Sequence, residues 1–299
     1  MDKEAEKKYI EAGKIAASVM DYARKTIKPE MPLLEAIEKI ESKIFELGAK
    51  PAFPADLSCN EIAAHYTPLH DDKLTANGLV KIDIGVEIDG FPVDTASSID
   101  LTPEQKYKEL INASQEALKN AIKILKVGIK TQDIGKVVEK TIRDYGFNPI
   151  RNLYGHELGR YSIHSGLQIP SYDDKSEKIL KEGVFAIEPF ATTGIGLVAN
   201  KGGMNEVFQL EEKKPVRDAN AREILNFIEK EYKTFPFCTR WLVKKFGAKA
   251  LFALSLFKKE NMLNQYPPLI EKSNGIVSQT EHTILLTKER IKVLTEELS

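Results

Sequence analysis

The sequence contains few cysteines and no long apolar segment. Its two cysteines, Cys59 and Cys238, lie far apart and lack the spacing of metal ligands, which favours a reducing cytoplasm over a disulfide scaffold. No stretch approaches the ~20 consecutive apolar residues that a membrane-spanning helix needs. The charged segment of residues 1–8 does not resemble a secretory signal. We therefore expect a cytoplasmic protein that has no membrane partner.

An excess of either charge is also missing. The 43 basic residues nearly balance the 44 acidic ones, so electrostatics give no reason to expect a specific nucleic-acid partner. Hydrophobic residues make up 42% of the chain and charged residues 29%, as in ordinary globular proteins. At 299 residues, the length allows one large domain or two small ones.

The most informative segment, residues 81–94, predicts a β-hairpin. Apolar residues alternate on both sides of an Asp-Gly turn signal at residues 89–90. A two-residue loop there pairs Gly85 with Asp94 and makes Asp83 a diagonal neighbour of Asp94 on one face of the sheet. Two carboxylates in mutual reach on a half-buried face repel each other unless a proton or a cation separates them. The hairpin therefore predicts a metal site.

An internal repeat relates two parts of the chain. Residues 9–48 align with residues 107–146 at a constant offset of 98, without gaps. Each copy predicts two amphipathic helices joined by a short break. Chance identity between amphipathic helices is the alternative explanation, and an ungapped match over forty residues argues against it.

The repeat extends to the acidic residues. The segment that ends at Asp83 resembles the segment that ends at Glu188, so these two acids are counterparts. The strand predicted at residues 276–284 then corresponds to the strand that carries Asp94, which makes Glu281 the counterpart of Asp94. Four acids in two related pairs imply a pocket on a pseudo-twofold axis, where the two halves of the sheet meet.

The second half of the repeat contains a long insertion. Strands predicted at residues 194–198 and 206–210 extend the sheet, and a run of short helices follows. We expect a catalytic domain of residues 1–210 plus 269–299 with an inserted helical subdomain at 211–268. The basic residues of this insertion would also suit a winged-helix DNA reader, but a solvated basic face on a structural insertion is the favoured interpretation.

Three of the five histidines lie in segments that suit a functional site. Glycines flank His156 and let the backbone turn sharply, although arginine stands where a zincin motif would need its second histidine. His164 follows eight residues later, and His65 lies in an earlier segment. For any one of these three, a hydrogen-bonded structural histidine is the default interpretation, and His70 and His282 keep it.

Several carboxylates with one imidazole suit a pair of divalent first-row metals better than a single structural zinc. In such a pair, bridging carboxylates hold the two ions ~3.5–4 Å apart, and a shared water loses a proton near neutral pH.

The motifs that carry these acids and histidines, in their order along the chain, resemble those of the methionine aminopeptidases, most closely the type 2 branch. The segments that carry the resemblance are 64–68, 81–85 with Asp94, 155–156 with 163–164, 186–188, and 281–286. The similarity covers essentially the whole chain, and the helical insertion distinguishes type 2 from type 1. The resemblance implies an α/β (α+β) fold of pseudo-twofold symmetry, the pita-bread or creatinase/aminopeptidase fold.

The resemblance also implies a ligand set for two divalent metal ions. Asp94 and Glu281 would bridge both ions. Asp83 would bind one of them, and His156 and Glu188 would bind the other. The ions would be cobalt, manganese, iron or zinc, which this set of ligands does not distinguish.

The same resemblance assigns the catalytic and substrate-binding residues. Glu188 would carry the proton from the bridging water to the leaving amine. His164 would hydrogen-bond the scissile amide and help to stabilise the tetrahedral intermediate, and His65 would contact the substrate at the pocket mouth. The expected lining of the pocket for the methionine side chain is Phe53, Ile163 and Tyr266.

The implied activity is removal of the initiator methionine by hydrolysis of the first peptide bond, with a small second residue favoured. Substrates would be peptides and nascent proteins with an N-terminal methionine. The protein would be a cytoplasmic monomer that comes transiently near the ribosome. Eukaryotic type 2 members carry a long charged N-terminal extension, whereas this chain is similar to the shorter archaeal form. Whether the protein contacts the ribosome directly therefore stays an open question.

Two alternatives remain. Prolidases and aminopeptidase P share the fold and the ligand types, but they usually carry a separate N-terminal domain, for which a repeat that begins at residue 9 leaves no room. The other alternative is a non-enzymatic binding protein on the same fold. All five ligand positions hold competent residues, which argues against it.

Overall fold

The structure, a computed structural model, describes residues 1–201 and 206–296. The helices within these residues are α1 (Lys3–Thr26), α2 (Leu33–Glu46), α3 (Lys108–Ile124), α4 (Thr131–Asp144), α5 (Ala219–Glu231), α6 (Thr239–Phe246) and α7 (Lys249–Lys259). None of these described helices combines the length and apolar character needed to span a membrane.

The strands alternate with these helices along the chain. They are β1 (Lys50–Pro51), β2 (Asp56–Cys59), β3 (Ile62–Ala64), β4 (Leu79–Ile88), β5 (Phe91–Asp100), β6 (Asn148–Pro149), β7 (Tyr154–Leu158), β8 (Gln168–Pro170), β9 (Gly183–Ile187), β10 (Phe190–Thr192), β11 (Val198–Ala199), β12 (Val207–Leu210), β13 (Phe237–Cys238), β14 (Leu263–Tyr266), β15 (Leu269–Glu271), β16 (Val277–Gln279), β17 (His282–Leu286) and β18 (Ile291–Val293). Helices and strands mix throughout, as the expected fold class requires.

The repeated segments form two equivalent helix pairs, α1 with α2 and α3 with α4, as their periodicity predicts. Each pair is followed by a glycine with positive φ, Gly48 at 83° and Gly146 at 82°, where glycine is the residue that tolerates the left-handed backbone. The buried faces of α1 and α2 pack on β4 and β5 in one apolar core. Those of α3 and α4 pack on β9 and β17 in a second core.

The hairpin predicted at residues 81–94 is confirmed. Strands β4 and β5 pair in the expected register, with Gly85 opposite Asp94 and Ile88 opposite Phe91. Asp89 and Gly90 both have positive φ, 51° and 86°, the signature of the type I′ turn that matches the twist of a hairpin.

The equivalent pairing in the second half is interrupted. Strand β9 pairs with β17, placing Ile187 opposite His282, and β10 pairs with β16, placing Phe190 opposite Gln279. These two ladders share one register, so Glu188 and Glu281 face each other at the break between them. The strand expected at residues 276–284 is therefore split by its own acidic residue.

The insertion has its own apolar core, in which α5, α6 and α7 pack on the sheet of β12, β13 and β14. The prediction that the strand at residues 206–210 extends the main sheet is wrong. Strand β12 pairs with β13 and β14 instead, because Phe208 is buried among the side chains of these helices. Apolar alternation identified the strand but not its partners.

Candidate metal centre and substrate pocket

Three predicted metal ligands meet where the β4–β5 hairpin contacts strands β9 and β17. Asp94, His156 and Glu281 are buried, and each offers a ligand atom within 4.8 Å of the others. His156 Nε2 lies 3.6 Å from Asp94 Oδ2 and 3.7 Å from Glu188 Oε1. Asp83 interacts with the Asp94 side chain. The structure thus brings all five predicted ligands into one cluster.

Hydrogen bonds between the halves hold this cluster together. The Glu281 N–H donates to the Ala96 carbonyl at 2.9 Å, and Thr95 Oγ1 donates to the Glu281 carbonyl at 2.9 Å. Thr283 Oγ1 accepts from the Asp94 N–H and donates to the Asp94 carbonyl, both at 2.7 Å. The backbones of Asp94 and Glu281 are therefore each fixed by the opposite half of the repeat.

The acids repel one another when no cation is present. Burial raises the pKa of Asp83 to about 6, against the hydrogen bond from Gln279 that lowers it. Burial, together with the neighbouring carboxylates, holds the pKa values of Asp94, Glu188 and Glu281 well above the usual range. A bound divalent cation would favour the ionised carboxylates and remove this cost.

The donor set fits such a cation. Asp83 Oδ1, Asp94 Oδ1 and Glu281 Oε1 are buried and have no hydrogen-bond partner among the residues that the structure describes, which is rare for buried polar atoms. Burial also lowers the pKa of His156 to about 3, so its imidazole is neutral and able to bind metal. Carboxylate oxygens with one imidazole suit divalent first-row ions.

Sequence reasoning missed three residues around this cluster. Gln279 Nε2 donates to Asp83 Oδ2 at 3.0 Å. Asp56 lies opposite Asp83 in the β2–β4 ladder, where burial and that neighbour raise its pKa well above the usual range. Lys81 is fully buried and donates to the carbonyls of residues 60 and 277 at 2.8 and 3.0 Å. The sequence signal for these two residues is a charge beside apolar neighbours, with Leu57 next to Asp56 and with Val80 and Ile82 on either side of Lys81.

A cavity of about 640 Å³ opens at the cluster. It is lined by four of the predicted metal ligands and by all the predicted substrate residues, namely Asp83, Asp94, His156, Glu188, Phe53, His65, Ile163, His164 and Tyr266. The remaining ligand, Glu281, is only 1% exposed. Gly85 makes room for the pocket wall, because a Cβ at this position would lie 2.3 Å from Phe53 Cε1.

Two histidines besides His156 face this cavity. The His164 ring lies 4.4 Å from the His156 ring, and the His65 ring lies 5.8 Å from the Tyr266 ring. His65 Nδ1 is 3.3 Å from the Pro267 carbonyl, which can only accept, so Nδ1 carries the proton and Nε2 is left as an acceptor. Burial lowers the pKa of His65 to about 4, so the ring is neutral at pH 7.

The expected structural histidines lie elsewhere. His70 is exposed on the surface. His282 Nδ1 lies 2.9 Å from Thr295 Oγ1, although its neighbour Glu281 belongs to the metal cluster.

Comparison with known proteins identifies the family. Residues 7–230 match metallopeptidase family M24. The methionine aminopeptidase of Pyrococcus horikoshii is 46% identical over 97% of this chain and 99% of its own length. The resemblance to methionine aminopeptidases that the motifs indicate is therefore confirmed.

Solved structures agree in fold. A thermophilic Arx1 superposes with a TM-score of 0.88 at 18% identity, over 100% of this chain and 92% of its own. A methionine aminopeptidase from Thermotoga maritima gives a TM-score of 0.71 at 24% identity, over 99% of this chain and 98% of its own. The expected pita-bread fold is confirmed. By its sequence and its fold, this chain belongs to metallopeptidase family M24.

Proposed function

We propose that this chain is a metal-dependent aminopeptidase that hydrolyses the first peptide bond of nascent proteins and releases their N-terminal methionine. One observation carries the proposal. The ligand atoms of Asp94, His156 and Glu281 lie within 4.8 Å of one another, beside a cavity lined by the residues expected to bind substrate. The P. horikoshii relative, a methionine aminopeptidase, supports methionine as the released residue.

The five clustered ligands would hold two divalent ions, which can be cobalt, manganese, iron or zinc. Asp94 and Glu281 would bind both ions. Asp83 would bind one of them, and His156 and Glu188 the other. When bound, such ions polarise the scissile carbonyl and make a water molecule nucleophilic near neutral pH.

Glu188 is suited to proton transfer. Its carboxylate lines the cavity, and burial, together with Asp94, raises its pKa well above the usual range. A carboxylate with a raised pKa can take a proton from the attacking water and return it to the leaving amine.

The two histidines would act on the scissile bond and on the substrate. His164 lines the cavity beside His156, where an imidazole N–H can donate to the scissile amide and stabilise the oxyanion that develops. His65 would contact the substrate through Nε2, since Nδ1 is engaged by Pro267. Phe53, Ile163 and Tyr266 would form the apolar pocket for the methionine side chain. A small second residue would be favoured if the His65 and Tyr266 rings, which meet edge to face at 5.8 Å, border the space beside the scissile bond.

Residues 211–268 would be an inserted helical subdomain in a catalytic domain of residues 1–210 plus 269–299. The separate apolar core of α5, α6 and α7 supports an inserted subdomain. Because Phe208 of β12 joins this core, the insertion would begin at β12 rather than at residue 211. The enzyme would work as a cytoplasmic monomer that meets its nascent substrates near the ribosome. Sedimentation at equilibrium would test the monomer directly.

A substrate comparison tests the activity. Purified protein with Mn²⁺ should release methionine from Met-Ala-Ser and leave the dipeptide Leu-Pro intact. Glu188→Ala, treated in the same way, is the matched negative control and excludes a contaminating peptidase. A preference for Leu-Pro would replace the proposal with a prolidase-like activity.

A further inference from the structure

A buried ion pair connects the insertion to the first half of the repeat. Arg240 of α6 donates from Nη1 and Nη2 to the two carboxylate oxygens of Glu41 in α2, at 2.7 and 2.8 Å. Trp241 Nε1 also donates to Glu41, at 2.9 Å. Arg240 is 3% exposed and Glu41 is 5% exposed. Burying two charges is costly unless the remaining hydrogen-bonding groups also find partners.

The remaining donors of Arg240 reach the segment that follows His65. Nε donates to the Pro68 carbonyl at 3.2 Å, and Nη2 also donates to Thr67 Oγ1 at 3.3 Å. Residues 65–69 follow β3 and lie outside the helices and strands. The guanidinium thus joins three chain segments, and one of them carries a residue of the cavity lining.

His65 itself has a constrained backbone. Its φ is 65°, in the left-handed region that non-glycine residues adopt only when their surroundings enforce it. Its N–H donates to Asp56 Oδ2 at 2.9 Å, and its Nδ1 lies 3.3 Å from the Pro267 carbonyl. Pro267 follows β14 and Arg240 lies in α6, so two of the anchors of this segment come from the insertion.

We propose that Arg240 is a positioning residue that aims His65 into the cavity by holding residues 67 and 68 against α2 and α6. The inference rests on the proposed function, because it assigns the insertion a role in substrate binding at the same site. Arg240 is buried beneath the segment of residues 65–69 and donates to the Pro68 carbonyl. It would therefore affect the substrate through His65. Lysine cannot replace it, because a single ammonium cannot reproduce the fork that serves Glu41, Thr67 and Pro68 together.

The chain offers a matched control in the same two helices. Lys244 of α6 pairs with Glu38 of α2 at 3.4 Å, with side chains 72% and 45% exposed. Exposed pairs of this kind contribute little to stability. Lys244→Met should therefore leave both the segment of residues 65–69 and the activity unchanged.

Amide hydrogen exchange of the metal-free protein tests the positioning directly. Peptides that cover residues 65–69 should exchange at least ~10-fold faster in Arg240→Lys than in the wild type or Lys244→Met, as expected when local opening becomes easier. Thr67→Val, which removes one of the contacts, should show a smaller increase and keeps the test valid if Arg240→Lys folds poorly. Unchanged exchange in both variants would overturn the proposal, whether or not the protein releases methionine.

A double-mutant cycle tests the link to substrate. Arg240→Lys should lower kcat/KM for Met-Ala-Ser by ~10-fold or more with metal content unchanged, as expected for a displaced substrate contact. In a His65→Ala background, the same substitution should change kcat/KM by less than ~2-fold, because its target is gone. Equal losses in both backgrounds would contradict action through His65. A wild-type protein that releases no methionine with any metal would instead refute the proposed function.

Discussion

The hydroxyl of Thr283 satisfies both backbone hydrogen-bonding groups of Asp94. It accepts from the Asp94 N–H and donates to the Asp94 carbonyl, each at 2.7 Å, and both residues are buried. Asp94 lies on the hairpin of the first half, whereas Thr283 lies on β17 of the second. One predicted metal ligand is therefore held by the half of the repeat to which it does not belong.

Replacing this hydroxyl should weaken the fold. Thr283→Val keeps the side-chain shape but leaves a buried N–H and a buried carbonyl without partners, which should lower the free energy of unfolding by about 2–4 kcal/mol. Urea denaturation of the metal-free protein measures this loss. Thr287→Val is the control, because the Thr287 hydroxyl bonds at an exposed site and its loss should cost less than ~1 kcal/mol. Equal losses would contradict the role given to Thr283.

Asp94→Asn should stabilise the metal-free protein at high pH. Burial, then Glu281 and Asp83, raise the pKa of Asp94 in the folded state. The folded protein therefore binds this proton more tightly than the unfolded chain does, and stability is lost as pH rises above the unfolded pKa of ~4. Asparagine cannot ionise, so the variant should be more stable than wild type at pH 8.

Urea denaturation in EDTA at pH 5 and pH 8 measures this difference, which should shrink at pH 5. With Mn²⁺ present, the order should reverse, because the variant has lost a ligand. Equal stability of the two metal-free proteins at pH 8 would show that the cluster carries no electrostatic cost.

Local sequence signals were enough to predict much of the fold. The Asp-Gly turn and the alternation around it fix the register that places Asp83 and Asp94 on one face. Helical periodicity and the 98-residue offset predict both helix pairs. The positions of the acids in this repeat also predict which strands meet at the cluster.

Residues that depend on distant partners were not predictable in this way. Gln279 donates to Asp83 across 196 residues of sequence, and no local pattern marks a glutamine for that contact. Strand β12 shows the same limit, because its alternation identifies a strand and leaves open which sheet it joins. The Arg240 contacts with residues 67 and 68 depend on the packing of the insertion against α2, which periodicity does not encode.

Glu188→Gln should separate proton transfer from metal binding. Glutamine retains the size of the side chain and one carbonyl oxygen but cannot shuttle a proton, so kcat should fall by ~10²–10⁴. Glu188→Ala should abolish turnover and also lower metal content. Metal analysis by mass spectrometry beside initial rates measures both effects, with His65→Ala as the variant that keeps full metal content. Normal activity in Glu188→Ala would contradict the proton-transfer role.

His164→Ala should reduce turnover and leave the metal cluster intact. Its ring lies 4.4 Å from the His156 ring but is not part of the expected ligand set. Loss of one donor to the developing oxyanion should lower kcat by ~10²–10³. Steady-state kinetics on Met-Ala-Ser measure the loss. A fall in metal content equal to that of His156→Ala would instead make His164 a ligand.

The most direct test of metal-dependent methionine removal is a titration. Protein treated with EDTA is supplied with increasing Mn²⁺ or Co²⁺, and free methionine released from Met-Ala-Ser is measured. We expect no release from the stripped protein and restored release as metal is added. Release that persists in EDTA, or no release with manganese, cobalt, iron or zinc, would contradict a metal-dependent methionine aminopeptidase.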